Sequence, residues 1–296
     1  MLAWLTLRRA TGLALLAASS MVLAGERVIT LAPHITELVY AAGAGGSIVA
    51  TVDSSDYPPA ALDLPRVGDG LNVNVERALT LRPSMVIAWQ PSGGAMTLAP
   101  TLAALEIPLL YSEPRALDDI PAEVRRMGKL LGTPEVAQAA AQALDMRIAA
   151  LRQRYAGPRP AERSPAERSP IRVFLELGPE PIYTIGSDPL LNDVLHACGA
   201  ENLYAKSRVA APQVSTESLL TQQPDVVIVS TADPARLEAR RRAWSALGLR
   251  AAREQRIHSI DPDQLFRPGP RLIDAAETLC SLIDMARSPP PPSGLK

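Results

Sequence analysis

The sequence of 296 residues contains few aromatic residues, cysteines and histidines and has little net charge. Aromatic residues make up 4% of the chain, there are two cysteines and three histidines, and the formal net charge is -1. This balance argues against the strongly basic surface with which proteins bind nucleic acid, so we expect no nucleic-acid partner. So few histidines also argue against a dedicated zinc or manganese receptor, and we expect no metal site.

The chain also lacks the short motifs of common enzyme classes. It has no G-x-S-x-G nucleophile elbow, no P-loop, no H-E-x-x-H motif and no G-x-G-x-x-G fingerprint. The "GAGG" stretch at residues 43–46 follows a predicted helix, which is the wrong order for a dinucleotide-binding loop. We therefore expect a protein that is not an enzyme and has no cofactor. An exported hydrolase with an unfamiliar site is the alternative from another functional class.

The first 24 residues have the composition of an export signal. Arg8 and Arg9 precede a short apolar run rich in Ala and Ser, which ends in the small-x-small sequence "VLA". We predict a secretory signal peptide over residues 1–24, cut after Ala24, and a periplasmic mature protein. A membrane anchor is the alternative, but the run is short for a membrane span. The two arginines suit either twin-arginine export or an ordinary basic region.

Cys198 and Cys280 are the two cysteines of the chain. In an oxidising compartment an isolated pair most often forms a disulfide. Two distant thiols do not complete a metal site. From the residue types alone, a disulfide and a pair of free buried thiols both stay open.

Short strands alternate with helices on both sides of one long helical pattern. "RVITLA", "SIVATVD" and "SMVIAW" are typical of strands, and "PHITELVYAAGA" and "NVERALTLRP" between them are typical of helices. This alternation predicts parallel sheets built from βαβ units. It stops at "PEVAQAAAQALDMRIAALRQRY" and restarts with "IRVFLELG". The fold class we predict is α/β, with two pseudo-symmetric lobes joined by one long helix and a ligand cleft between the lobes.

The predicted domain boundaries follow from these changes of pattern. After the signal peptide they are an N-terminal lobe over 25–132, a connecting helix over 133–156, a low-complexity loop with a tandem AERSP repeat over 157–170, a C-terminal lobe over 171–287, and a disordered proline-rich tail over 288–296.

One helix-to-strand pattern occurs in both lobes and gives each lobe a glutamate. "NVERALTLRPSMVIAW" and "STESLLTQQPDVVIVS" carry Glu76 and Glu217 two positions after a cap-type residue. The helix dipole favours a glutamate there by about 0.3–1 kcal/mol, which is a purely structural explanation. The duplication favours a functional one, because two carboxylates on one face of a pseudo-symmetric molecule fit a two-fold symmetric partner with two basic sockets.

Seven motifs along the chain carry a resemblance to a known family. They are "VITLAPHITEL", "SDYPP", "VERALTLRP", "VIAW", "CGAENLY", "PQVSTESLL" and "PRLIDAAETLC". Together they resemble the periplasmic cobalamin-binding proteins of bacterial ABC importers, and more loosely the wider group that binds iron-siderophores and haem. The resemblance implies a monomeric receptor, a Cys198–Cys280 disulfide, and docking of Glu76 and Glu217 onto arginines of a permease dimer driven by ATPase subunits.

The resemblance also implies which residues bind cobalamin or a related corrinoid. They are Tyr57 of "SDYPP", Trp89 of "VIAW", Tyr183 of "PIYTIG", and the pair Asp263 and Arg267 of "DPDQLFRPGPR". The bland alternatives are a core tryptophan for Trp89 and a turn residue for Tyr57.

His34 in "APHITE" is a further candidate contact, because it starts a helix that faces the expected cleft. A lone histidine at such a position more often has a structural role. The chain departs from the family pattern at Gly70 and Ala211, where the best-known member has tryptophans. Losing two large flat side chains removes contact area, so ligand identity is open and haem or an iron-siderophore is the alternative ligand.

Overall fold

The computed structural model describes residues 25–156 and 169–287, which form two α/β lobes. The predicted signal peptide, most of the AERSP repeat and the proline-rich tail lie outside the described residues. The elements of the N-terminal lobe are β1 (Val28–Thr30), α1 (Pro33–Ala41), β2 (Ile48–Ala50), α2 (Val75–Thr80), β3 (Met85–Ala88), α3 (Gly93–Ala104), β4 (Leu109–Tyr111) and α4 (Asp119–Leu131).

The sheet of the N-terminal lobe is parallel throughout, as the alternation of strands and helices predicts. Its strand order is β2-β1-β3-β4, and every neighbouring pair is parallel. All four residues of β3 are buried, because helices cover both faces of a parallel sheet. Helix α4 was not anticipated from the sequence, although Ile120, Val124 and Met127 are buried along one face at helical spacing.

The connecting helix α5 (Pro134–Leu151) leads towards the second lobe. The predicted helix continued to Tyr155, but regular α-helix ends at Leu151 and Arg152–Ala156 form a wider π-helical turn. The elements of the C-terminal lobe are β5 (Ile171–Pro179), β6 (Ile182–Thr184), α6 (Pro189–Ala197), β7 (Ala200–Asn202), α7 (Thr216–Gln222), β8 (Val226–Ser230), α8 (Pro234–Ala246), α9 (Arg250–Arg253), β9 (Ile257–Ile260), α10 (Pro262–Leu265) and α11 (Arg271–Met285).

The sheet of the C-terminal lobe departs from the prediction at one strand. Strand β5 pairs in parallel with β7 and β8, and β8 with β9, but β6 runs antiparallel to β5. The predicted α/β class with parallel sheets is confirmed, and β6 is the antiparallel exception among the described strands. The reason is the two-residue turn at Glu180 and Pro181, because so short a connection can join only antiparallel strands.

One apolar core runs through both lobes and along the connecting helix. It contains Val28 and Ile35 of the first lobe, Ile148 of α5, and Val173 and Leu279 of the second lobe. Arg147 of α5 adds ion pairs to Asp274 and Glu277 of α11 at 2.5 and 2.7 Å. Separating the lobes widely would expose this shared core at about 25 cal/mol per Å² of apolar surface, so the arrangement resists a wide hinge opening.

Cys198 and Cys280 form a disulfide between the end of α6 and the middle of α11. Both side chains are completely buried. The structure therefore resolves the open choice in favour of the bonded pair. Among the described helices, none has both the length and the apolar character to cross a bilayer.

Candidate functional site

The seam between the lobes is centred on Trp89, which directly follows β3. Parallel strands end at one edge of a sheet, where side chains after the last strand residue face a crevice. The Trp89 side chain is 41% exposed, which excludes the alternative of a core tryptophan. The ring of His34 stands edge-on to it, with 5.3 Å between ring centroids and 77° between planes. Trp89 therefore offers a supported aromatic surface to the seam.

Two hollows flank Trp89. The seam hollow, of about 170 Å³, lies between Trp89 and residues 113–115 of one lobe and Leu265, Phe266 and Pro268 of the other. The loop hollow, of about 240 Å³, lies within the first lobe under the segment Asp69–Leu71. Each is smaller than the roughly 300–1,000 Å³ of typical small-molecule sites. A bulky ligand would therefore lie across Trp89 and use both.

The loop over the second hollow explains why glycine stands at position 70. Gly70 has φ +93°, a conformation that favours glycine. The carboxylate of Asp69 accepts hydrogen bonds from the backbone of Leu71 at 2.9 Å and Asn72 at 2.7 Å, which fixes the turn. The hydrogen bonds from Asn72 are the main reason that the pKa of Asp69 lies below its usual value. Because residue 70 is a glycine, no side chain fills the loop hollow at this position, where a tryptophan would.

A cluster of charged residues crosses the seam beside Trp89. We call it the seam cluster; its members are Glu37 and Asp56 of the first lobe and Asp263, Arg267 and Arg271 of the second. Arg271 donates to Glu37 at 2.7 Å. Arg267 forms ion pairs with Asp263 at 2.9 Å and, through both guanidinium nitrogens, with Asp56.

The pKa values of the two first-lobe acids of the seam cluster are shifted in opposite directions. Burial raises the pKa of Glu37, and the contact with Arg271 only partly opposes this rise. The hydrogen bond from Arg267 lowers the pKa of Asp56, which is closer to solvent. One oxygen of the Glu37 carboxylate has no partner among the described residues. The seam cluster thus contains one acid whose pKa is lowered and one whose pKa is raised.

Tyr57 joins the seam cluster through its ring. The guanidinium of Arg271 lies 4.4 Å from the ring centroid of Tyr57, a cation–π contact between the two lobes. Tyr57 is still 44% exposed, so it is more than a packed turn residue. The structure therefore brings Tyr57 together with Asp263 and Arg267 in one cluster; their role as ligand contacts stays a prediction.

His34 and Tyr183 differ from the other predicted ligand residues. His34 is 1% exposed, and burial lowers its pKa to about 4. Its Nε2 lies 3.4 Å from the carbonyl oxygen of Ser112, so the ring supports Trp89 and has little surface of its own for a ligand. Tyr183 on β6 is 40% exposed and forms an antiparallel bridge with Gln213 of its own lobe.

Glu76 and Glu217 occupy matching positions, each the second residue of its helix. The predicted caps are present: Asn74 accepts from the backbone of Arg77 at 2.9 Å, and Ser215 from that of Ser218 at 3.2 Å. Both glutamates are exposed. Hydrogen bonds from its own backbone and from Ser215 lower the pKa of Glu217. Each lobe thus carries an acid at the start of the helix that leads into β3 or β8.

Sequence reasoning missed Glu37, Asp56 and Arg271. All three lie inside motifs used for the resemblance, "VITLAPHITEL", "SDYPP" and "PRLIDAAETLC". The available signal was Glu37, a charged residue between Thr36 and Leu38 in an otherwise apolar helix. Buried acids are rare unless paired, so this position predicts a cation from elsewhere in the chain. Across the described residues, no group of three metal-ligating side chains could hold an ion.

Comparison with other sequences places the chain among exported receptors. Residues 28–264 match the profile of a family described as periplasmic binding protein. The curated vitamin B12-binding protein of Vibrio cholerae serotype O1 is 37% identical over 262 residues, which cover 88% of this chain and 90% of that protein. The vitamin B12-binding protein of Yersinia pestis is 37% identical over 268 residues, which cover 90% and 89%.

Solved structures show the same two-lobe architecture. The crystal structure of the periplasmic vitamin B12-binding protein BtuF of Vibrio cholerae matches with a TM-score of 0.77 and 36% identity, over 89% of this chain and 98% of that one. The periplasmic haem-binding protein RhuT from Roseiflexus sp. RS-1, in its apo form, matches with a TM-score of 0.73 and 26% identity, over 89% and 100%.

Proposed function

Because the chain belongs to the periplasmic binding protein family, we propose that it binds cobalamin or a related corrinoid and delivers it to an inner-membrane ABC transporter. The curated relatives that support this ligand are vitamin B12-binding proteins, and they align along nearly the whole chain. The protein acts as a monomeric receptor in the periplasm after its signal peptide is cut behind Ala24. It catalyses no reaction, and the transporter's ATPase subunits supply the energy.

The observation that carries the ligand assignment is the exposed Trp89 between two hollows. A corrin is a wide, flat macrocycle with an apolar rim and peripheral amides. It would cover the ring of Trp89 and extend into both hollows, with Tyr57 at the seam cluster and Tyr183 on the second lobe as further aromatic contacts. Asp263 and Arg267 would provide hydrogen-bonding groups for the amides.

A titration of the purified protein with cyanocobalamin, by calorimetry and by the quenching of tryptophan fluorescence, tests the ligand. We expect binding by the natural protein and a loss of about 2 kcal/mol or more with Trp89→Ala, because that change removes a large apolar contact. Trp89→Phe should recover part of it. Met146→Ala is the control, since Met146 is 62% exposed on α5. Absence of binding by the natural protein would refute the assignment.

A haem is the second candidate ligand, because the chain is 26% identical to the haem-binding protein RhuT along its length. Titration with hemin under the same conditions separates the two candidates. Binding of hemin and not of cyanocobalamin would favour the haem.

Docking is the second part of the proposal. Glu76 and Glu217, exposed at matching helix starts, would each meet an arginine on one subunit of a permease dimer. The shared core and α5 support delivery without wide separation of the lobes.

A further inference from the structure

We infer that the seam cluster makes the cleft selective for ligands that carry amides in place of carboxylates. Glu37, Asp56 and Asp263 are the specificity-determining residues. The inference rests on the proposed function, since it concerns the same site, and it names the chemical class of ligand that the site rejects.

Both arginines of the seam cluster already have carboxylate partners. The Arg267 side chain is 10% exposed and is shared by Asp56 and Asp263. The Arg271 side chain is 15% exposed and is held by Glu37. An anionic ligand gains most from a guanidinium whose hydrogen-bond donors are free. Here it would first have to displace a carboxylate that the protein supplies.

The charges of the cluster do not favour an anion either. Three carboxylates face two guanidinium groups, so the cluster carries a charge of -1 when all are ionised. The buried Glu37 oxygen without a partner adds an acceptor, and the buried Nε of Arg271 without a partner adds a single donor. A ligand carboxylate near the cluster therefore meets no net positive charge.

The charges around the hollows point the same way. The seam hollow is lined by Glu113, Asp188 and Arg115, and the loop hollow by Asp69. Of the described residues lining the two hollows, Arg115 is the one cation, against three acids. Like charges in a partly buried cleft repel more strongly than in water. A ligand rimmed by amides avoids this repulsion and can both donate to the acids and accept from the arginines.

The experiment compares two corrinoids that share a ring and differ in rim charge. Dicyanocobinamide carries amides, and dicyanocobyrinic acid carries carboxylates at the same positions. We expect the natural protein to bind the amide form at least about tenfold more tightly. The double variant Asp56→Asn/Asp263→Asn, which frees Arg267, should reduce this ratio at least about fivefold. Absorbance titration of the corrin band measures both constants.

One control variant, one further variant and added salt test the cause of this selectivity. Asp284→Asn removes the ion pair between Asp284, near the end of α11, and Arg287; this pair lies outside the seam cluster, so the ratio should stay unchanged. Glu37→Gln should reduce the ratio through Arg271 instead of Arg267. Added salt should weaken the anion binding gained by the double variant. Circular dichroism and the unfolding midpoint verify that each variant is folded.

The two proposals fail in different ways. A natural protein that binds neither corrinoid refutes the corrinoid function. A natural protein that binds both equally, or a folded double variant with the natural ratio, overturns the selectivity and leaves the corrinoid function intact.

Discussion

In the N-terminal lobe β3 is followed by Trp89, and in the C-terminal lobe the matching position, at the end of β8, is Ser230. The match follows from the pairing registers, which place Met85 beside Val28 and Val226 beside Val173. The two lobes thus share a path and differ in the side chain that faces the seam. The shared path creates the crevice, and the proposed binding site depends on the side chains that differ.

The second difference between the lobes is the hairpin after β5. In the first lobe the chain passes from β1 directly to α1, whereas in the second β6 turns back along β5 before α6 begins. This insertion places Tyr183 on the second lobe. The aromatic surfaces therefore come from non-equivalent places, so the site is asymmetric although the frame is repeated.

Matching residues of α1 and α6 link the lobes to each other. Glu37 of α1 reaches Arg271 of the second lobe, and Asp193, at the same place in α6, accepts from the backbone of Leu117 at 2.9 Å and from Arg152 at 3.3 Å. Each first helix thus contributes one acid that contacts the other half of the molecule. The matching acids link the two lobes, whereas Trp89 and Tyr183, the proposed ligand contacts, have no matching aromatic residue in the other lobe.

The largest effect we expect comes from a feature that both lobes share, the proposed docking acids Glu76 and Glu217. Glu76→Lys together with Glu217→Lys should abolish uptake of cobalamin in cells, because two attractive contacts become repulsive. Each single change should weaken uptake, and similar losses would mean that the lobes dock equivalently. The measurement is accumulation of radiolabelled cobalamin in cells that depend on this receptor.

Ligand affinity is the control for the docking variants. Both glutamates are exposed and stand outside the seam cluster, so cobalamin affinity should change less than about twofold. Unchanged uptake by the double variant would contradict the docking proposal. Lost affinity would mean that these acids belong to the binding site.

A smaller effect should follow from the way each lobe fixes the end of its first helix. In the first lobe Thr133 donates a hydrogen bond to the carbonyl oxygen of Ala42 at 2.7 Å; in the second, Cys198 is bonded to Cys280. Cys198→Ala with Cys280→Ala opens a loop of 82 residues. The free energy of unfolding should fall by about 4 kcal/mol in the chain-entropy model. Urea unfolding measures it.

The hydrogen bond from Thr133 to Ala42 in the first lobe provides the comparison for the disulfide in the second. Thr133→Ala leaves one carbonyl group without its side-chain partner and should cost about 1 kcal/mol. A larger loss from Thr133→Ala than from the cysteine pair would reverse the proposed order of the two contacts.

The repeated frame was predictable from the sequence because repetition is visible in it. "VERALTLRPSMVIAW" and "TESLLTQQPDVVIVS" give cap, helix, turn and strand in the same order, and local chemistry decides each of those steps. Strand β6 was not predictable from alternation, because Ile182, Tyr183 and Thr184 are too few residues to show a period. Helix α4 was predictable from its sequence, because its apolar residues recur at helical spacing.

The site was predictable only in part, since it depends on contacts between distant segments. Motifs identified Tyr57, Trp89 and Arg267, but no local pattern relates Glu37 to Arg271, which are 234 positions apart. The ion pairs exist because the shared core holds the lobes together. Sequence patterns report short-range chemistry, and this cluster is a product of the tertiary fold.

The last predicted effect concerns another position at which the lobes differ. His34 of α1 matches Leu190 of α6, and both are buried. Burial lowers the pKa of His34 from 6.5 to about 4, so the folded state binds fewer protons than the unfolded state between these values. Stability from this group is complete above pH 6.5 and is lost as the pH falls towards 4. The loss between pH 7 and 4.5 should be about 2–3 kcal/mol.

His34→Leu, which copies the other lobe, tests the cause of this loss. Urea unfolding of both proteins at pH 7 and 4.5 should show a smaller acid loss for the leucine variant, because leucine does not titrate. Glu37 lies three residues after His34 in α1, and burial raises its pKa. Because protonation relieves the cost of burying Glu37, its contribution to stability increases as the pH falls, opposite to that of His34. Because both proteins contain Glu37, its contribution cancels in the difference between their losses of stability. Equal acid losses would mean that His34 protonates in the folded protein as easily as in the unfolded chain.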